Sequence, residues 1–431
     1  MKKIGKLFGA VFAIFLFGSL LASYSQDLRR DPFHIDEFEF VRRGIFFDLM
    51  FITKDFNHPE WFIPENYPLQ PKLGPYIYGG VLWLVGVRDI KDQFRAYEAY
   101  KQGKTTAWHL WFRKEISQLD PEIKSAAELV VIGRRVSLGF TLMVFLLVFL
   151  LGWQVGGILC AAITVYLLAH NPLMFIYGRR AMTDSFLIFF LFANLFLVMF
   201  YVRLLKQAHR WSHLWLTSVL LGLTTAFAAA VKLTGILSYG FLLLQFGMLL
   251  AIYRRGFPKI KILMVNFLTA TAVFLSVFIF LHPFLYQDTA LKIYTMFASR
   301  LRVAREYQSV YPGTAVYSRS QALSLITKRV LLPGGDYTNI KLPVVPVDLL
   351  LFVVGLFSLG RKVAFEFRKS QTISLELILL TWTVFIIGSL IFYLQNDWDR
   401  YYLPAVSVVA LVQAYALALS ATSIFRRFLK R

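Results

Sequence analysis

Apolar runs of about twenty residues, long enough to cross a bilayer as a helix, recur along this 431-residue chain. They fall at about 7–24, 129–151, 154–171, 184–203, 213–231, 235–253, 262–281, 346–360, 373–394 and 403–423. The fold class expected is therefore all-α, a polytopic transmembrane helical bundle of about ten spans. Composition agrees. Only 16% of residues are charged, where a soluble domain carries roughly 25%. The 42 Phe, 21 Tyr and 9 Trp suit lipid-facing helices with aromatic belts at the interfaces.

Charge sets the topology. The net charge is +21, which the positive-inside rule or a site for an anionic substrate such as a phosphate would each explain. With the N-terminus inside, the inward segments read Lys2-Lys3, Arg203 to Arg210, Arg254 to Lys261, Arg361-Lys362 with Arg368-Lys369, and Arg426-Arg427 with Lys430-Arg431. Apart from Glu366 they contain no acid. Both termini are then cytoplasmic. The run after Lys2, Lys3 and Lys6 reads as an uncleaved first helix rather than a signal peptide, although Ala22-Ser23 offers small residues for cleavage.

The organisation expected is a first transmembrane helix (1–24), an outer loop (25–128), a transmembrane core (129–282), a second outer loop (283–345) and C-terminal transmembrane helices (346–431). In the first loop, the aromatic stretches from Arg43 to Phe51 and from Tyr76 to Leu84 read as helices lying in the interface plane. Residues 88–128 read as a small helical lobe. No large soluble domain is expected after the last span.

The outward segments hold nearly every acid and the candidate chemistry. His34-Ile35-Asp36-Glu37 follows the first span. Adjacent carboxylates repel, which tends to raise one pKa and suits a general base; a solvated acidic patch is the plain alternative. Tyr67 to Tyr76 contains Lys72 in a turn shaped by Pro and Gly; Lys72 either reaches a phosphate or rests near headgroups. Arg179-Arg180 with Asp184 either binds a phosphate and positions a sugar, or combines interfacial arginines with an ordinary helix cap. Lys232 stands alone in a very short outer turn, as a functional charge or a snorkelling one. His282 before Pro283 is a weak signal. Asp397-Trp398-Asp399-Arg400-Tyr401-Tyr402 opens the last span, with aromatic neighbours of Arg400 suited to line a groove.

Several classes are excluded. No basic domain stands outside the membrane pattern, so nucleic acid is not a partner. Cys160 is the single cysteine, which rules out an intramolecular disulfide and a Cys-rich metal site. No zinc-protease, Walker or dinucleotide motif occurs. A transporter would place its essential charges near the bilayer midplane, whereas these stand at the outer ends of helices.

In order and in side, these motifs resemble the C-type glycosyltransferase superfamily, in its protein-O-mannosyltransferase and aminoarabinose-transferase branch. The matching pieces are Asp36-Glu37, Gln70 to Tyr76, Arg179 to Asp184, Val231 to Gly235, His282 to Phe284, and Arg400 to Pro404. Gln70 and Lys72 stand where that branch has His and a second Pro. The resemblance implies a glycosyltransferase that takes a sugar from a polyprenyl-phosphate donor to a protein, lipid or glycan acceptor on the outer membrane face. It implies Asp36 as general base, with Glu37 and Asp184 as supporting catalytic carboxylates. Lys72, Arg179, Arg180, Lys232 and Arg400 would bind the donor phosphate, and Tyr76, His282 and Tyr401 would contact substrate. One displacement would invert the anomeric carbon. No cofactor is required, and a divalent metal is compatible but not demanded. The expected location is a prokaryotic cytoplasmic membrane, among membrane lipids. The rival reading is a transporter or flippase of a lipid-linked or anionic solute.

Overall fold

A computed structural model describes residues 2–62, 71–103, 114–207, 211–253, 257–340, 344–370 and 373–428. Tyr67 and Gln70 of the second motif, and Arg210, Arg254, Arg255, Lys430 and Arg431 of the inward segments, lie outside the described residues. Among those described the chain is helical throughout, with one isolated bridge between Ala315 and Asn396.

The helices used below are α1 (Lys2–Ser25), α2 (Ile35–Arg42), α3 (Leu73–Leu84), α4 (Pro121–Ala169), α5 (Asp184–Lys206), α6 (Trp211–Val231), α7 (Leu237–Tyr253), α8 (Phe257–Phe280), α9 (Thr289–Val310), α10 (Val347–Ser370), α11 (Leu375–Tyr393) and α12 (Leu403–Phe428). Seven of the described helices are long and apolar enough to cross a membrane; the chain is an integral membrane protein. α4 alone accounts for two of the expected runs. It reverses at Gly157, whose φ of +80° favours glycine. Tyr24 on α1 touches both arms, its ring 5.3 Å from Phe145 and its hydroxyl donating to the Ala169 carbonyl at 2.7 Å. α1 and α10 occupy two further runs. α10 keeps its apolar face short because Arg361, Lys362, Glu366, Arg368 and Lys369 fill its second half.

α5 and the last helix are the most deeply packed of the spans, while α8 faces outward along most of its length. Lipid offers no hydrophobic drive between helices, so small residues and interhelical hydrogen bonds hold them. Gly222 on α6 lies so close to α8 that a Cβ would stand 2.5 Å from the Ala270 carbonyl oxygen. Asn194 on α5 donates to Thr225 on α6 at 2.8 Å. The two innermost helices both begin at the same end of the bundle, at Asp184 and just after Arg400. Their innermost position is what gathers residues remote in sequence.

The described part of the segment between α1 and α4 packs onto that end. Gly44 and Gly79 form its closest crossing; a Cβ on Gly79 would lie 2.1 Å from the Gly44 carbonyl oxygen. Backbone cannot yield as a side-chain tip can. Gly79→Ala is expected to destabilise the protein by about 1–3 kcal/mol or more, read as a lowered unfolding temperature in detergent; an unchanged temperature would mean the crossing is slack. Leu84 and Val85, at the far end of α3, are exposed apolar residues.

The described part of the segment between α8 and α10 meets the one between α1 and α4, with the Phe56 and Tyr286 ring centres 5.8 Å apart. Residues 314–316 are tied to 395–397 through Val316 N–H to the Gln395 carbonyl (2.9 Å) and Asp397 N–H to the Thr314 carbonyl (2.7 Å). A buried amide chain then anchors the loop to the bundle. Asn171 donates to Asn339 at 2.9 Å, Asn339 to Gln413 at 2.8 Å, and Gln413 to Asp348 at 2.8 Å.

Candidate active site

α2 begins with a reciprocal cap. The Asp36 N–H donates to His34 Nδ1 at 3.2 Å, and the His34 N–H donates to Glu37 Oε2 at 2.8 Å. An acceptor Nδ1 means a neutral imidazole. Burial lowers the His34 pKa against the pull of Asp36, in keeping with that tautomer.

Successive helical residues point about 100° apart, and this separates the two adjacent carboxylates. Glu37 turns inward and is fully buried. It accepts from Arg134 Nε and Nη2, both at 2.8 Å, and from the Ala181 N–H at 2.9 Å. Arg134 also donates to the carbonyls of Leu28 (2.6 Å), Asp31 (2.8 Å) and Pro32 (3.3 Å). One buried guanidinium thus gathers the chain from 28 to 37. Asp36 turns outward, its side chain a third exposed, and Oδ2 meets Arg400 Nη1 at 2.5 Å.

The expected rise in one pKa of this pair does not occur. Burial would raise both, but Arg400 holds Asp36 below the ordinary carboxylate value, and Arg134 with two backbone N–H groups does the same for Glu37. Each carboxylate has its own guanidinium, so their mutual repulsion does not decide.

Asp184 is the first residue of α5 and buried. Its Oδ1 meets Lys232 Nζ at 2.5 Å; its Oδ2 has no hydrogen-bond partner among the described residues. Lys232 sits in extended backbone between α6 and a short turn at Leu233–Ile236. That turn is tight because Gly235 rests on Ala228, where a Cβ would come within 1.9 Å of the carbonyl oxygen. Burial lowers the Lys232 pKa, Asp184 opposes this, and Arg400 and Arg300 add to the lowering.

Arg400 rides on a turn at Asp399–Tyr402. The acids beside it are already engaged. Asp397 is paired with Arg329 at 2.5 Å and accepts from the Tyr402 hydroxyl at 2.7 Å. Asp399 accepts from the Tyr337 hydroxyl.

A cavity of 860 Å³ joins these groups. Of the sequence-predicted site residues, Asp36, Asp184, Lys232, Arg400 and Tyr401 line it. The others do not. Glu37 is behind Asp36, held by Arg134. Lys72 is buried over the Phe46 ring, 4.1 Å from its centre; burial, with Arg43 and Arg42, pushes its ammonium well below the lysine range. Arg179 is paired with Asp31 at 2.9 Å and lies over Phe175. Arg180 lies over Tyr177. Tyr76 donates to the Leu281 carbonyl at 2.8 Å. His282 is fully buried, its Nδ1 2.6 Å from the Phe278 carbonyl, and burial lowers its pKa to about 4.

The cavity also holds residues that sequence reading missed: Arg43, Arg300, Tyr307, Tyr311 and Tyr393. A signal for Arg300 existed. Arg300, Arg302 and Arg305 form a basic cluster in a segment expected from the sequence to face outward, which runs against the charge rule as Arg179-Arg180 does. Arg300 donates to the Tyr401 hydroxyl at 3.3 Å and has no carboxylate at ion-pair distance among the described residues.

A divalent metal needs several convergent oxygen or nitrogen ligands. Among the described residues no three of His, Cys, Asp and Glu come together. Asp36 and Asp184 each face a cation, Arg400 and Lys232.

No protein-family model and no curated protein sequence matches the chain. Solved structures do. The oligosaccharyltransferase of Archaeoglobus fulgidus, in its apo form, matches at a TM-score of 0.56 and 14% identity, over 98% of this chain and 51% of that one. The chain shares the fold of the matched part of that protein. ArnT from Cupriavidus metallidurans, apo, matches at 0.51 and 13%, over 97% of this chain and 60% of that one. AglB from A. fulgidus, in complex with an inhibitory peptide and a dolichol-phosphate, matches at 0.53 and 15%, over 99% and 52%. The chain spans about half the length of the oligosaccharyltransferases that share this fold.

Proposed function

We propose that the chain is a membrane glycosyltransferase that moves a sugar from a polyprenyl-phosphate donor to an acceptor on the outer face of a prokaryotic cytoplasmic membrane. The observation that carries this reading is the pairing within one cavity. Asp36 with Arg400, and Asp184 with Lys232, stand at the ends of the spans, and Arg300 adds a cation with no carboxylate at ion-pair distance among the described residues. The dolichol-phosphate in the AglB structure fits the same class of donor.

The chemistry follows from charge. The acceptor hydroxyl or amide attacks the anomeric carbon. The bond from that carbon to the phosphate oxygen breaks, and its electron pair leaves with the phosphate. The acceptor proton passes to Asp36. Negative charge grows on the leaving phosphate, where fixed donors in a site with little water are worth most. Arg400, Lys232 and Arg300 are the cations in place. Asp184 orients Lys232. Glu37 and Arg134 position Asp36 without touching substrate, and Lys72, Arg179, Tyr76 and His282 act as packing and anchoring residues. A single displacement inverts the anomeric carbon.

Arrival of the donor exchanges partners. The phosphate takes Arg400 from Asp36, so the carboxylate is released as the reaction centre assembles. In the free protein Asp36 has a lowered pKa; such a group keeps its basic form until the pH falls through that lower value. The acid limb of kcat/KM should therefore lie below the ordinary carboxylate range. Arg400→Gln removes the cation and leaves the burial, so the limb should move up. A limb that stays in place in Arg400→Gln would assign it to another group. The transfer itself is tested by the assay that closes the Discussion.

A further inference from the structure

The cavity is graded along its length. On the side of the spans it is lined by aliphatic residues, Leu187 and Ile188 of α5, Val231 of α6 and Leu403 of α12. On the side of the outer loops it is aromatic. Trp398 stacks on Tyr401 with ring centres 5.7 Å apart and planes at 28°, and meets Tyr307 edge-on at 5.2 Å and Tyr311 at 6.4 Å. All four rings line the cavity.

These rings are not core. Trp61 and Trp382, which pack, are 0% and 1% exposed; Tyr311 is 49% exposed, and Trp398 is only half-buried. Polar groups are set among them. Arg300 donates to the Tyr401 hydroxyl, and the Arg400 guanidinium lies 5.7 Å from the Trp398 ring. Flat apolar faces interleaved with hydroxyl and guanidinium groups match a ligand that has apolar C–H faces and a rim of hydroxyls. A pyranose has that form. A prenyl chain matches the aliphatic side instead, and 860 Å³ is within the range of about 300–1,000 Å³ typical of ligand pockets.

We propose that the wall of Tyr307, Tyr311, Trp398 and Tyr401 is a saccharide subsite, and that the acceptor is a glycan presented there. The proposal rests on the transferase reading for its use of the word acceptor. Arg400 links the two parts of the site, since one guanidinium contacts Asp36 and neighbours Trp398. A sugar on the wall therefore lies beside the group that takes its proton.

The test uses the full-length protein in detergent without donor, titrated with mannotriose, maltotriose and cellotriose by saturation-transfer NMR and calorimetry. At least one trisaccharide should bind. Trp398→Ala should weaken that binding by about tenfold. Tyr311→Ala, at a half-exposed ring, should weaken it severalfold without loss of folding. The bound trisaccharide should also inhibit label transfer to a membrane extract. Absence of binding by all three, or binding indifferent to both substitutions in folded protein, overturns the proposal. Transfer to a peptide, with no saccharide binding or competition, overturns the subsite and leaves the transferase standing. Saccharide binding that needs the wall, with no transfer to any acceptor, supports the subsite and sinks the transferase.

Discussion

Asp36→Asn is expected to abolish transfer while tightening the hold on the donor. Asn keeps the shape of the side chain and still accepts from Arg400 Nη1, so the ion-pair geometry at 2.5 Å has a neutral successor. The proton acceptor is gone. Loss of a positioned general base lowers the rate by roughly 10²- to 10⁴-fold. The carboxylate that competes with phosphate for Arg400 is also gone. Binding of a non-transferable polyprenyl phosphate should strengthen by a factor on the order of five, equivalent to about 1 kcal/mol. The two effects have opposite signs, which separates this account from simple misfolding. Transfer at the wild-type rate would remove Asp36 from the chemistry. Weakened phosphate binding would sink the exchange of partners.

Arg134→Met should be the most damaging substitution away from the cavity. It leaves the fully buried Glu37 carboxylate without its cation and three carbonyls, of Leu28, Asp31 and Pro32, without their donor. Breaking one half of a buried pair costs about 3–5 kcal/mol, largely because the remaining charge is uncompensated. Thermal unfolding in detergent should show that loss. Adding Glu37→Leu removes the stranded charge, so the double variant should be more stable than Arg134→Met alone. A double variant whose loss equals the sum of the two singles would mean that Arg134 and Glu37 do not act as a unit.

The spans, and the charged residues at their ends, were legible in sequence for one physical reason. Charge at a helix end in lipid is expensive, so Lys232 and Arg400 stood out where aliphatic runs stopped. Asp184 was visible in the same way. The hairpin in α4 was visible as two runs separated by a very short turn at 152–153, but the reversal falls at Gly157, inside the second run, where glycine takes the positive φ.

Orientation was not legible. Asp36 and Glu37 share a chemistry and one helix, yet only rotation about α2 decides which faces the cavity. The partner of Glu37 lies 97 residues away, inside a run that reads as apolar. Lys72, Arg179, Tyr76 and His282 are plausible by type and place, but each points into the protein and meets a ring, an acid or a backbone carbonyl there. Arg300, Tyr307 and Tyr311 were missed because α9 carries no long apolar run and reads as loop. The charge rule would have marked Arg300 had it been applied residue by residue.

The most direct measurement is transfer by the purified protein. Radiolabelled polyprenyl-phosphate sugars, as a panel, are supplied with a native membrane extract as acceptor, beside Asp36→Asn and beside liposomes that contain no acceptor. The expected result is label in an acceptor with wild type, an inverted anomeric configuration in the product, and no label with Asp36→Asn. Folded wild-type protein that transfers no label from any donor, or that moves labelled lipid across the acceptor-free bilayer, would contradict the account.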